Sequence, residues 1–128
     1  MRTYKYNSEL LPSGFHRGYD AHLYFDSNTF PIASAFRERM VEKFAAHSKI
    51  FIGQMIPEPI GPHPLPMFEV NFSEEDYDTI VNFLKEEHGD IPVLVHKLTG
   101  DDIVDHTTEA FWIGTTLSLN FSVFQAKF

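Results

Sequence analysis

The strongest constraint on the fold is the order in which two hydrophobic periods follow one another along the chain. Four short segments have the alternation or the apolar composition of β-strands, and they are residues 19–25, 49–56, 67–72 and 91–98. Two longer segments, 30–44 and 73–88, carry apolar residues at helical spacing. The resulting order, β-α-β-β-α-β, predicts an α+β fold of the split βαβ, or ferredoxin-like, plan. An additional C-terminal strand is predicted at 115–124.

Both helices have recognisable ends. The first follows a polar cluster at 26–29 and has Pro31 in its first turn, where proline is tolerated. The second begins after Ser73, whose side chain suits an N-cap and is followed by acidic residues, and it ends at His88 and Gly89. These signals predict the two helices and therefore the order of the strands around them.

The predicted topology places polar residues of separate segments side by side. In the split βαβ plan the first strand is central and is flanked by the third and fourth strands. His22, Glu69 and His96 would then lie on neighbouring strands about 5 Å apart. Because the helices cover one face of the sheet, the face with His22 and Glu69 needs another cover or must form a cavity. A second subunit could provide that cover.

Length and charge limit the classes of protein to be considered. A chain of 128 residues fits one domain, which we place at 17–128 after an irregular N-terminal arm at 1–16. The formal net charge of −8 argues against a nucleic-acid partner. No apolar run approaches the roughly 18 residues that a membrane span needs, so we expect no membrane partner. The first residues show no apolar core of a signal peptide, which makes a cytoplasmic protein the default expectation.

The absence of cysteine makes imidazole the principal reactive group. With no cysteine and seven histidines, disulfides, cysteine-based zinc sites, iron–sulfur clusters and thiol catalysis are excluded. His16 lies in the arm, and His47 and His88 lie in the last turns of helices, where a cation suits the helix dipole. These three are set aside. The candidates that remain are His22, His63, His96 and His106.

Each candidate has an ordinary structural interpretation as well as a functional one. His22 and His96 could be buried histidines with hydrogen-bond partners. Five prolines in the segment 57–66 hold His63 in extended backbone, which suits a ligand or a proton-transfer group but also a loop that must not fray. Asp105 or His106 could cap a short helical turn, and Glu69 could be a solvated edge carboxylate.

Convergence of these residues on adjacent strands favours a metal site. Several neutral imidazoles on one face, with or without a carboxylate, are what a first-row metal binds while keeping open positions. No spacing in the chain is a specific metal motif, however. The spacing of the histidines therefore leaves both the metal and the ordinary interpretation open.

Four segments together resemble the DOPA 4,5-dioxygenase family of small extradiol dioxygenase-like proteins. They are "YDAHLYFD" at 19–26, "GPHPLPMFEVNF" at 61–72, "VLVHKLTGDDIVDHTTEAFWIG" at 93–114 and "LSLNF" at 117–121. The resemblance runs from about residue 17 to 124 and leaves out the first 16 residues. It implies a dimeric α+β barrel of ferredoxin-like type, and opening of a catechol ring by O₂ at a non-haem Fe(II). Members with an assigned function cleave L-DOPA at the 4,5 bond to seco-DOPA.

The candidate residues suit the chemistry that this resemblance implies. Such a reaction needs a Lewis-acidic metal with open sites, a base and an acid. We predict His22, His63 and His96 as the metal ligands and His106 as the catalytic acid/base. Glu69 is predicted as a catalytic carboxylate that could replace one ligand. The predicted walls of the substrate site are Tyr24, Met67 and Trp112.

The sequence leaves several alternatives open. Fe(II) is the expected cofactor, although Zn²⁺ readily occupies histidine sites on purification. The expected partners are a catechol, O₂ and a second copy of the chain in a homodimer. A non-catalytic metal- or ligand-binding dimer, and a metal-free acid/base enzyme of similar fold, would have the same pattern. The position of ring cleavage and the physiological catechol stay open.

Overall fold

A five-stranded antiparallel sheet forms the centre of the molecule. The computed structural model describes residues 5, 7–11 and 17–122. Its strands are β1 (Tyr19–Tyr24), β2 (Ile50–Ile52), β3 (Met67–Phe72), β4 (Val93–Lys97) and β5 (Ala110–Ile113). Their order in the sheet is β2-β3-β1-β4-β5, so the predicted α+β fold and the predicted central position of the first strand are confirmed.

Both predicted long helices are present. The helices are α1 (Asn7–Leu10), α2 (Phe30–Lys43), α3 (Tyr77–Glu87) and α4 (Asp102–Asp105). The residues before α3, Glu74–Asp76, form a 3₁₀ turn, because the Asp76 N–H donates to the carbonyl of Ser73 at 3.1 Å. Gly89, with φ of +61°, lets the chain leave α3 in a left-handed conformation, as predicted for a C-cap glycine.

One face of the sheet, which we call the helix face, packs against α2 and α3. Alternation in β1 and β3 sends every second side chain to this face, where the helices bury it. The buried strand residues here are Ala21, Leu23, Phe68, Val70 and Phe72, and the helix residues packed on them include Phe36, Met40, Ile80 and Leu84. Phe30 and Val41, which the helical pattern also predicts to face inward, are 44% and 39% exposed.

The opposite face carries the polar residues, and we call it the histidine face. Segments of the same chain cover part of it: Tyr24, Ile56, Met67 and Leu94 are buried there, in contact with Ile60, Leu65, Leu117 and Leu119 among others. The remainder opens as a cavity of about 330 Å³. The chain therefore covers part of this face itself, and the expected homodimer stays a prediction.

The predicted C-terminal strand at 115–124 is wrong in its described part. The last strand is β5, which pairs with β4 from Val93↔Ile113 to His96↔Ala110. Gly114, with φ of +81°, then turns the chain away from the sheet, and residues 114–120 form no strand. Their alternating pattern arises because Leu117 and Leu119 pack across the histidine face. Residues 123–124 lie outside the described part of the chain.

Two further segments differ from the sequence prediction. The predicted second strand at 49–56 is limited to β2, and Ile56 pairs with Met67 in an isolated bridge. Gly53 interrupts the strand, and its N–H donates to the carbonyl of Glu69 at 2.8 Å. In the arm predicted to be irregular, Asn7–Leu10 forms one helical turn, while most of residues 1–16 lie outside the described chain. No helix among the described residues is long and apolar enough to cross a membrane.

Replacement of Gly114 by alanine is expected to destabilise the protein more than the same change at Gly89. Both glycines have positive φ, but a Cβ at 114 would lie 2.6 Å from Cε1 of His88, whereas a Cβ at 89 meets no atom within 4 Å. Gly89→Ala therefore measures the backbone strain alone, of about 1–2 kcal/mol. Urea unfolding should show an additional loss of about 1 kcal/mol or more for Gly114→Ala. Equal losses would contradict the steric account.

Candidate metal centre and active site

Two neighbouring strands bring His22 and His96 into direct contact. His22 lies on β1 and pairs with Leu94, so His96 is its diagonal neighbour on β4. The two side chains are 3% and 1% exposed, and their Nε2 atoms lie 3.0 Å apart. With metal–nitrogen bonds of about 2.1 Å, two ligands at a right angle stand about 3.0 Å apart, so this distance suits two ligands of one ion.

His106 provides the third nitrogen. It follows α4, and ligand atoms of His22, His96 and His106 all lie within 4.8 Å of one another. The centroids of the His96 and His106 rings are 4.4 Å apart. Three converging imidazoles are typical of a metal site that keeps open coordination positions. His22 also belongs to a second group, in which ligand atoms of Asp20, His22 and Glu69 lie within 4.8 Å of one another.

Backbone carbonyls fix the tautomers of two of these rings. Nδ1 of His96 lies 3.1 Å from the carbonyl oxygen of Lys97, and Nδ1 of His106 lies 2.8 Å from that of Asp102. Because a carbonyl oxygen only accepts, each Nδ1 carries the proton and donates it. Nε2 of each ring is then the basic nitrogen, as in metal sites whose histidines donate their other nitrogen to a second group. The donor set therefore fits a first-row divalent metal.

The loop before His106 is held by its own side chains. The Asp101 carboxylate caps α4 by accepting from the N–H groups of Ile103 and Val104 at 3.0 and 3.1 Å. Asp105 is 3% exposed and accepts from both the N–H and the hydroxyl of Thr99. Asp101, rather than Asp105 or His106, is therefore the N-cap of this short helix. This arrangement leaves His106 oriented toward the cavity, which it lines.

His63 lies against the ligand group rather than within it. The proline segment presents it to the cavity with 7% exposure. Its Nδ1 lies 2.7 Å from the hydroxyl oxygen of Tyr24, and its ring centroid is 4.1 Å from that of His22. Among the described residues, the three-histidine group with mutually close ligand atoms does not include His63. The sequence prediction of His63 as a ligand and His106 as the acid/base stays a prediction, and the geometry favours the opposite assignment.

Burial favours the neutral form of His22, His63 and His96. Burial lowers the pKa of His22 well below its usual value, and the neighbouring rings of His63 and His96 lower it further. Burial and the adjacent His106 likewise lower the pKa of His63 to about 3. The pKa of His96 is also lowered by burial, although Asp20 works against this. Neutral imidazole is the form that binds a metal or accepts a proton.

Two carboxyl groups and one guanidinium form the other wall of the cavity. Glu69 lies opposite His22 in the β1–β3 ladder, as predicted. Arg17 donates to Asp20 at 2.7 Å and lies 3.4 Å from Glu69. Burial, and then the negative charge of Asp20, raise the pKa of Glu69 well above its usual value, although Arg17 opposes the shift. Glu69 is therefore biased toward its protonated form.

Asp20 and Arg17 line the cavity but were not predicted as site residues. Asp20 precedes His22 by two positions on a strand, so alternation alone places both on the histidine face. The pattern thus predicts its position, although no role was assigned to it. Arg17 precedes β1 and belongs to no periodic segment, so the sequence held no signal for its contacts.

The predicted wall residues divide into two groups. Met67 lines the cavity, whereas Tyr24 and Trp112 do not. The rings of Tyr24 and Trp112 stack behind His63 with centroids 5.7 Å apart. Burial, followed by the charge of Glu69, raises the pKa of the Tyr24 hydroxyl, which keeps it protonated and able to hydrogen-bond His63. The residues that line the cavity are Arg17, Asp20, His22, Ile60, Gly61, Pro62, His63, Met67, Glu69, His96, Leu98, Asp102, Asp105 and His106.

Comparison with known proteins gives a consistent picture. A protein of Nostoc punctiforme, solved by crystallography and described as a candidate dioxygenase, superimposes with a TM-score of 0.76 and 32% identity, over 88% of this chain and 94% of that one. An uncharacterised 21.2 kDa protein of Botryotinia fuckeliana is 32% identical over 95% of this chain and 71% of its own length. DOPA 4,5-dioxygenase of Amanita muscaria is 32% identical over 51% of this chain and 28% of its own length.

These relationships support an enzyme of the dioxygenase type. The model of the Dopa 4,5-dioxygenase family matches residues 19–123, which include all four histidines of the cavity. The chain therefore belongs to the Dopa 4,5-dioxygenase family.

Proposed function

We propose that the protein is a non-haem Fe(II) extradiol dioxygenase that opens the ring of a catechol, such as L-DOPA, with O₂. The observation that carries this proposal is the convergence of His22, His96 and His106 in a chain of the Dopa 4,5-dioxygenase family. The family and the Amanita muscaria relative support DOPA as the first substrate to test, with 4,5 cleavage to seco-DOPA.

The three histidines would hold the metal and leave coordination positions open toward the cavity. When bound there, Fe(II) supplies Lewis acidity and one-electron chemistry with O₂, which neutral imidazoles accommodate. The fixed tautomers of His96 and His106 present their basic nitrogens without reorganisation. This chain therefore contributes a preorganised donor set to the reaction.

His63 is suited to move the protons of the catechol. It lines the cavity beside His22, and its neutral ring can accept a proton from a phenolic hydroxyl. For Nε2 to be the accepting nitrogen, Nδ1 carries the ring proton and donates it to the hydroxyl oxygen of Tyr24 at 2.7 Å, and this bond also restrains the ring. In this proposal His63 is the acid/base group and His106 a ligand.

The cavity walls are suited to a small aromatic ring. A volume of about 330 Å³ lies in the range of small-molecule sites. Ile60, Met67 and Leu98 give apolar surface for the ring, and Glu69 offers a carboxyl group that is biased toward holding a proton. Glu69 would then supply an acid at the stage where the ring opens.

The partners in this proposal are a catechol, O₂ and, as the family resemblance implies, a second copy of the chain. Light scattering coupled to size exclusion would show the homodimer directly. The formal net charge of −8 still argues against a nucleic-acid partner.

The function can be tested by anaerobic reconstitution with Fe(II), followed by oxygen uptake and visible absorbance with L-DOPA and with simple catechols. We expect iron-dependent uptake and a yellow ring-opened product. Tight metal binding without uptake for any catechol would favour the non-catalytic binding protein instead. Activity that survives a chelator would favour a metal-free acid/base enzyme.

A further inference from the structure

A line of buried polar side chains connects the N-terminal turn α1 to the cavity. Asn7, Asn71 and Asp20 are 2%, 0% and 3% exposed. Nδ2 of Asn7 donates to Oδ1 of Asn71 at 2.7 Å and to the carbonyl of Glu69 at 3.0 Å. Nδ2 of Asn71 donates in turn to Oδ1 of Asp20. The line ends at a carboxylate that lines the cavity.

The orientation of the Asn71 amide depends on Asn7. A carboxylate only accepts hydrogen bonds, so the NH₂ group of Asn71 must face Asp20 and its oxygen must face the other way. Asn7 supplies the donor for that oxygen. Without this donor the side-chain oxygen of Asn71 would be buried without a hydrogen-bond partner. The Asn71 amide would then no longer be held with its NH₂ group toward Asp20.

The sheet holds a space that fits the Asn7 side chain. A Cβ on residue 53 would lie 1.8 Å from Oδ1 of Asn7, so only glycine leaves room there. The Gly53 backbone is itself fixed, because its N–H donates to Glu69 at 2.8 Å and its carbonyl accepts from Nε of Arg37 at 2.7 Å. The glycine and its two backbone bonds make the docking of Asn7 specific.

Asp20 lies where its charge acts on the ligand group. Its Oδ2 accepts from Arg17 at 2.7 Å and lies 3.8 Å from Nε2 of His96. A carboxylate at this distance stabilises a cation bound by His96. The size of this stabilisation depends on the position in which Oδ2 of Asp20 is held. Asn71 and Arg17 hold the two oxygens from opposite sides.

We propose that Asn7 is a positioning residue of the metal centre, which acts through Asn71 to hold the Asp20 carboxylate against Arg17 and His96. This inference rests on the metal-binding role proposed above for His22, His96 and His106. Asn7 lies outside residues 19–123, the part matched by the family model. The metal centre would thus depend on a segment that the family match does not include.

Titration of the metal-free protein with Co²⁺ alone tests this proposal. Asn7→Asp keeps the size of the side chain but turns an acceptor oxygen toward Asn71 Oδ1 and the Glu69 carbonyl. We expect the Kd for Co²⁺ to weaken about 10-fold or more, as when an outer-shell partner is lost, with a shifted visible spectrum of the bound ion. Asn82→Asp adds the same charge on the exposed side of α3 and should leave the Kd unchanged.

Two further variants separate positioning from a purely structural role. Gly53→Ala expels the Asn7 side chain without adding charge, so it should weaken Co²⁺ binding in the same way even if Asn7→Asp folds poorly. In an Asp20→Asn background, Asn7→Asp should have little further effect on the Kd for Co²⁺, because the carboxylate that Asn7 positions is already absent. Thermal unfolding of each variant monitors the fold.

Wild-type Kd values in both Asn7→Asp and Gly53→Ala would overturn the proposal, as would full additivity with Asp20→Asn. A wild-type protein that binds no Co²⁺ would overturn it as well. Because the titration uses neither catechol nor O₂, a protein that binds Co²⁺ through this network but turns over no catechol would refute only the proposed function.

Discussion

Replacement of His22 by alanine is expected to abolish metal binding and catechol cleavage together. His22 lies on the central strand, and its Nε2 is 3.0 Å from that of His96, so its loss removes the nitrogen that completes the three-histidine group. We expect the loss of activity to exceed about 100-fold, beyond the range found when only an outer-shell partner is removed. Metal content after reconstitution and oxygen uptake measure the two effects.

His47→Ala is the matched control for this variant. His47 lies after α2, its side chain is 42% exposed, and it does not line the cavity. It should retain wild-type metal content and turnover. A His22→Ala protein that still binds one equivalent of metal with wild-type affinity would contradict the ligand assignment.

Replacement of His63 by alanine is expected to slow turnover strongly while leaving the metal in place. His63 hydrogen-bonds Tyr24 and packs beside His22, but it is not part of the converging ligand group. Loss of a general acid/base typically costs about 10²–10⁴-fold in rate. We therefore expect kcat to fall by a factor in that range at unchanged metal content. Loss of the metal from His63→Ala would instead support the assignment of His63 as a ligand, as the sequence predicts.

Tyr24→Phe should give a smaller effect of the same kind. The change removes only the hydroxyl that lies 2.7 Å from Nδ1 of His63 and keeps the ring that stacks on Trp112. We expect kcat to fall about 10-fold, as for an outer-shell hydrogen bond, with wild-type metal content. Steady-state kinetics and metal analysis of the same preparation provide the measurement. An unchanged kcat would show that this hydrogen bond is not needed to orient His63.

The strand pattern predicts much of the site, because it determines which face of the sheet each side chain occupies and which strands lie next to each other. Alternation in β1 places His22 away from the helices, and the topology places Glu69 and His96 on the strands beside it. A period of two combined with one known strand order is sufficient for this inference. Residues on strands were therefore predictable as neighbours.

Loops limited the remaining predictions. The cap at Asp101 and the hydrogen bonds between Thr99 and Asp105 hold His106 toward the cavity. A sequence can suggest such local hydrogen bonds, but it does not indicate where the loop lies over the sheet. The contact of Asn7 with Asn71 joins residues 64 positions apart with no periodic signal. The segment after Gly114 alternates like a strand because it packs across one face, and periodicity does not distinguish the two cases.

Mass spectrometry of the product formed under ¹⁸O₂ tests the central claim most directly. The Fe(II)-reconstituted protein would be incubated with L-DOPA, and with an unsubstituted catechol in parallel, in labelled oxygen. Ring cleavage by a dioxygenase puts one atom of O₂ into the new carboxylate and the other into the new aldehyde, and the aldehyde oxygen is lost when the amine of L-DOPA condenses with it. We therefore predict two labelled oxygens in the ring-opened product of the unsubstituted catechol, reduced at once with borohydride, and at least one in the L-DOPA product. A reduced catechol product with one labelled oxygen, or an unlabelled quinone from either substrate, would contradict the proposed reaction.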